Sequence, residues 1–77
     1  MGKALHYSKI DILLERKDPM DIIFVKRSTG EIVEAKSVIV TSIYSKEGTC
    51  NIGFPNGEKR TIRKILIDRI DNTKIFL

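Results

Sequence analysis

Seventy-seven residues, 42% of them apolar, suffice for one domain with a thin core; they exclude a second domain and argue against disorder. A net charge of +4, from 14 basic and 10 acidic residues, slightly favours polyanions but falls short of the loading of a protein that coats DNA. One cysteine (Cys50) and one histidine (His6) exclude an internal disulfide and a four-ligand structural zinc, and no cofactor is expected.

Residues 1–20 read as an N-terminal segment that packs on or beside a domain formed by residues 21–77. No apolar run approaches the roughly 18 residues of a membrane span, and the start lacks the apolar stretch of a signal peptide. Small secreted domains usually rely on disulfides, so a cytoplasmic protein with no membrane partner is the expectation. Gly2 invites comparison with a myristoylation signal, but His6 stands where Ser or Thr is needed. Ser8 and Asp11 have capping-box spacing, and Ile10, Leu13 and Leu14 would make a helical apolar stripe. Ile10, Ile12 and Leu14 alternate equally well as a strand; Asp18-Pro19 ends either element.

A recurring turn follows. Ser28-Thr29-Gly30, Lys46-Glu47-Gly48 and Pro55-Asn56-Gly57 each separate runs rich in β-branched or aromatic residues. Each places Gly third, where a three-residue hairpin loop needs a left-handed residue. Closing these loops pairs Arg27 with Glu31, Val25 with Val33 and Ile23 with Ala35 in the first hairpin. In the second it pairs Ser45 with Thr49, Tyr44 with Cys50, Ser42 with Ile52 and Val40 with Phe54. In the third it pairs Phe54 with Glu58, Ile52 with Arg60 and Cys50 with Ile62. Alternation then gathers Val38, Val40, Tyr44, Cys50, Ile52, Phe54 and Ile62 on an inner face. Thr41, Asn51, Gly53, Lys59, Thr61 and Arg63 fall on the outer face, with Ile39 and Ile43 as apolar exceptions.

Beyond Ile62 the pattern fits a strand, a break near Arg63-Lys64 and a final hairpin turning at Ile70–Thr73, although Ile62, Ile65, Leu66 and Ile70 also have helical spacing. The fold class expected is all-β, a small antiparallel meander curled into an SH3-like barrel over residues 21–77, with the N-terminal stretch as a short helix or a further strand. Long hairpins, a break and a short closing strand resemble SH3-like barrels in architecture, without any family motif; the resemblance implies a curled sheet and leaves the role open.

Catalysis finds little support. Cys50 points into the apolar face, where burial raises a thiol's pKa, and His6 reads as an exposed residue near a frayed terminus. Asp68 and Asp71 have Arg69 and Lys74 nearby and read as solvated ion pairs; the scattered glycines make no phosphate loop. A non-catalytic binding module without a small-molecule substrate is expected. Its candidate nucleic-acid surface is Lys59, Arg60, Arg63 and Lys64, with Arg69 following, while a charged solvated strand explains the same residues. The alternative is a homodimer or protein-partner interface on Ile39, Ile43 and Phe24, unless the N-terminal segment covers them. Phe24, Tyr7 and Phe76 are the candidate stacking aromatics.

Overall fold

The computed structural model describes residues 3–77; Gly2, considered above for lipidation, lies outside the described residues. Among these, seven strands form one sheet: β1 (Lys3–His6), β2 (Met20–Val25), β3 (Ile32–Tyr44), β4 (Thr49–Gly53), β5 (Lys59–Arg63), β6 (Ile67–Ile70) and β7 (Thr73–Phe76). Their spatial order is β1-β7-β6-β2-β3-β4-β5, antiparallel throughout except for β1 on β7. The fold is therefore mostly β, with one short helix, α1 (Ile10–Leu14), entered through a 3₁₀ turn at Tyr7–Lys9. A flat sheet with its side chains is about 10 Å thick, whereas this molecule measures 30 × 27 × 25 Å, so the sheet curls. It does not close into a barrel: β1 and β5 end the order and share no ladder. No helix among the described residues is long and apolar enough to cross a membrane.

The glycine turns form. Gly30, Gly48 and Gly57 have φ of +74°, +69° and +92°. At Pro55–Gly57 the loop has the expected length, Phe54 N donating to Glu58 O at 2.8 Å, and β5 pairs with β4 as read, Ile52 opposite Arg60 and Cys50 opposite Ile62. The first two loops each hold one residue more. Gly30 N donates to Lys26 O (2.7 Å) and Gly48 N to Tyr44 O (2.9 Å), so the hairpins close at Lys26/Glu31 and Tyr44/Thr49. A left-handed Gly ends a four-residue loop as readily as a three-residue one, and the register slips by one. Phe24 consequently pairs with Val33 and is buried, not available as an interface or stacking residue. Ile43 pairs with Cys50 and packs half-buried against the core, while Tyr44 turns outward.

Two bulges bend β3. Met20 pairs with Val38 but Ile22 with Ala35, so Lys36 and Ser37 together oppose Asp21. Ser37 sits at φ +54°, held by its N–H donating to the Asp21 carboxylate at 3.0 Å. Farther along, Val40 pairs with Ile52 and Ser42 with Asn51, leaving Thr41 extra. The inward residues of β3 are thus Val33, Ala35, Val38, Val40 and Ile43, spaced by two, three, two and three instead of by two throughout.

The core runs from Met20, Ile22 and Phe24 across Val38, Cys50 and Ile52 to Ile67 and Ile70. Val40 and Phe54, expected at its centre, are half-buried at its margin. Five residues are too few for an independent helix; α1 stands because Ile10 and Leu14 are buried in the core, worth about 1.5–3 kcal/mol each. The capping box does not form: Ser8 Oγ bonds His6 Nδ1 (2.8 Å) and Asp11 turns to Lys64. Nor is the described N-terminal stretch frayed. β1 is pinned on β7, and the His6 ring meets Phe76 edge-on at 5.3 Å. The break after β5 is a 3₁₀ turn at Lys64–Leu66, and β6 and β7 form the final hairpin.

Gly48→Ala should destabilise by about 1 kcal/mol in denaturant titration, the order of the left-handed penalty for a residue with a Cβ. Gly53→Ala should have a smaller effect, because a Cβ there would meet Thr41 Cγ2 at an ordinary 3.7 Å and the φ is not left-handed. Equal losses at the two sites would contradict the backbone explanation.

Candidate functional site

The outer face of β3, β4 and β5 is laid out in three rows by the two ladders. Tyr44, Thr49 and Arg63 form the first, Ser42, Asn51 and Thr61 the second, and Ile39, Gly53 and Lys59 the third. The middle row is stitched together: Thr61 Oγ1 donates to Asn51 Oδ1 at 2.6 Å, and Asn51 Nδ2 reaches the Tyr44 hydroxyl at 3.5 Å. Tyr44 is 44% exposed, so its ring stands beside a polar row flanked by two cations. The alternation read from the sequence places Tyr44 inside; the extra loop residue at Ser45–Gly48 reverses it. Only a signal for loop length would have found this aromatic.

The five basic candidates separate. Lys59 and Arg63 share the outer face. Arg60 projects from the opposite side of β5, across from Ile52, yet remains exposed. Lys64 is withdrawn altogether. Its ammonium is buried and donates to Asp11 Oδ1 at 2.9 Å, joining the turn after β5 to α1. Arg69 lies on β6, opposite Ile23 and Lys74, at the far part of the sheet.

The apolar trio separates too. Phe24 is in the core and Ile43 packs against it, leaving Ile39, 41% exposed, on the outer face. α1 buries Ile10 and Leu14 on the core side and so does not cover Ile39. Of the other aromatics, Phe76 is 45% exposed and Tyr7 packs partly on the core.

A groove of about 360 Å³ opens along the free edge of β5, between that strand and the root of the β2–β3 hairpin. Lys26, Arg27, Arg60 and Arg63 line it over Phe24 and Ile62.

Cys50 is buried on β4, and burial pushes its thiol up to about 11, Lys64 opposing the rise and Asp11 adding to it. His6 is on β1, at the other side of the sheet from β4. Among the described residues no three His, Cys, Asp or Glu side chains come together as metal ligands would. Compared with protein-family models, curated proteins and solved structures, the chain has no match in any of the three.

The Lys64–Asp11 pair yields an asymmetric expectation. Lys64→Met should change stability by about 1 kcal/mol or less, whereas Asp11→Ala, which strands a buried ammonium, should cost about 1–3 kcal/mol, the upper range being reduced because Asp11 is 38% exposed. Denaturant melts of both variants decide it; a larger loss from Lys64→Met would show that the charge itself holds α1.

The thiol provides a second check. Its folded pKa lies above the unfolded value, so the fold holds this proton more tightly. That stabilisation is complete below about pH 9 and is lost as the pH rises towards 11. The stability advantage of the natural protein over Cys50→Ala should shrink across that window, and a thiol reagent at neutral pH should label Cys50 only on unfolding.

Proposed function

We propose that the protein is a non-catalytic binding module of the cytoplasm that engages a polyanion, single-stranded nucleic acid first among them, on the outer face of β3, β4 and β5. The observation that carries this is the exposed Tyr44 set in one hydrogen-bonded surface with Asn51 and Thr61, between Arg63 and Lys59. Proteins that bind single strands combine cations for the backbone with aromatic platforms for the bases, and stacking on a ring is tolerant of sequence. Lys59 and Arg63 are four residues apart on one strand, about 13 Å, a span that suits two phosphates with one between them on an extended strand. SH3-like architecture, with β3 bent between the two halves of the sheet, is the frame in which we place this surface. A protein interface on the same face has weaker support, since Phe24 and Ile43 lie on the other side and only Ile39 remains.

With two or three phosphate contacts, affinity for an oligonucleotide should fall about tenfold between 50 and 200 mM salt. Reversing Lys59 and Arg63 together should abolish most binding without unfolding the domain, because both side chains are exposed. Reversing Lys3 and Lys9, equal in formal charge, should matter much less, and Tyr44→Ala should weaken binding at every salt concentration. Equal losses from the two double variants would leave only the general attraction of a +4 protein.

A further inference from the structure

We infer that the open edge of β5 and the groove beside it form a second site, which takes an extended acidic peptide as an added strand. β5 ends the sheet. Its hydrogen-bond phase is set at both ends, by Phe54 N to Glu58 O (2.8 Å) and Lys64 N to Gly48 O (2.9 Å). Antiparallel pairs alternate between bonded and non-bonded, so Glu58, Arg60, Ile62 and Lys64 turn their backbone groups to β4. Lys59, Thr61 and Arg63 turn theirs to the open side. That edge presents alternating donors and acceptors at strand spacing, the template that strand addition uses.

The neighbouring groove decides what kind of strand fits. Its walls carry Lys26 and Arg27 from the first hairpin and Arg60 and Arg63 from β5; no carboxylate lines it, and its apolar floor is Phe24 and Ile62. Among the described residues the ion pairs are Arg16–Asp71 and Lys64–Asp11, so none of the four cations is spent internally. A second copy of β5 is a poor occupant: antiparallel pairing about Thr61 would set Lys59 against Arg63 twice over, and like charges directly opposite destabilise a sheet. A nucleic-acid strand could satisfy the cations and the N–H groups, but its phosphodiester backbone has no donors for the carbonyls of Lys59, Thr61 and Arg63. A peptide has both. Its side chains would alternate, outward ones meeting Lys59 and Arg63, inward ones meeting Arg60, Lys26 and Arg27 with an aliphatic residue over Ile62. A strand acidic on both faces, with an aliphatic residue over Ile62, therefore matches this edge. The site shares Lys59 and Arg63 with the polyanion surface and is distinguished from it by Lys26, Arg27 and the open backbone of β5.

The test uses the whole protein and a short fluorescent Glu-rich peptide with a single central Val, with two further versions N-methylated on one or the other alternate set of amides. Binding is followed by fluorescence anisotropy at 50 mM salt. The unmodified peptide should bind, and one N-methylated version should bind about tenfold more weakly or worse while the other is little changed, because only one set faces β5. Amide exchange by NMR should show the Lys59, Thr61 and Arg63 N–H groups gaining protection on peptide addition. K26E with R27E should weaken the peptide but leave oligonucleotide binding intact, which separates this site from the outer face. Equal loss from both N-methylated peptides, no new protection on β5, or no peptide binding at all would overturn strand addition. An oligonucleotide that perturbs Lys26 and Arg27 and displaces the peptide would reassign the groove to nucleic acid.

Discussion

The bend in β3 is the constraint on which this small fold turns, and Asp21 holds it. Its carboxylate receives the N–H of Ser37, a residue at φ +54° that a chain with a Cβ adopts at a cost of about 1–2 kcal/mol. Its backbone is tied to the second such residue, Asp71 at φ +53°. Asp71 N donates to Asp21 O (2.7 Å), and the Asp71 carboxylate accepts from Asp21 N and from Arg16, each at 3.0 Å. One exposed position on β2 thus fixes both the bulge that bends β3 and the turn that joins β6 to β7. The ion pair within this knot is solvated and adds little by itself; its value lies in geometry. Without the bulge, Ala35 and Val38 would face opposite sides of the sheet, and a core this thin cannot spare either.

Charge is partitioned along the same lines. One run of basic residues, Lys59 to Lys64, contributes to three environments. Lys59 and Arg63 remain on the outer face, Arg60 faces the groove, and Lys64 is buried on Asp11, where it fastens α1 to the turn after β5. A burial of that kind costs desolvation and is repaid only through a close partner. It places the pair beside Cys50, where the two charges act on the thiol in opposite directions and burial outweighs both.

What could be read from the sequence follows from how local each determinant is. The left-handed glycines were legible because a missing Cβ acts on its own residue, and the Pro55–Gly57 hairpin was legible because Pro55 defines where its loop begins. Gly30 and Gly48 mark where their loops end but not where they start, so Phe24, Ile43 and Tyr44 came out on the wrong sides. The bulges at Ser37 and Thr41 depend on partners elsewhere, Asp21 and the β4 strand, and leave no mark in a two-residue period. The candidate site suffered accordingly. Lys59, Thr61, Asn51 and Arg63 were placed by the hairpin with a defined start, Tyr44 was lost to the loop without one, and Lys64 looked like its neighbours because its partner is 53 residues away.

The outer face and the edge of β5 make different demands on the same five residues. A strand that ends a sheet needs charge to keep it from pairing with copies of itself, and four cations in the six positions from Lys59 to Lys64 would serve that end alone. Protection of an edge, however, requires only like charge along it. It does not call for an exposed tyrosine joined through Asn51 to Thr61, nor for Lys26 and Arg27, two positions from a different hairpin, to face Arg60 across a groove. Those features cost something, since grouping cations around one cleft raises their mutual repulsion, and nothing in the described residues offsets it with a lining carboxylate. The repulsion is relieved when an anion arrives. A surface whose unfavourable charge is removed by binding is thereby biased towards acidic partners, and β5, with its backbone open on one side and its cations divided between two faces, is where that bias is concentrated.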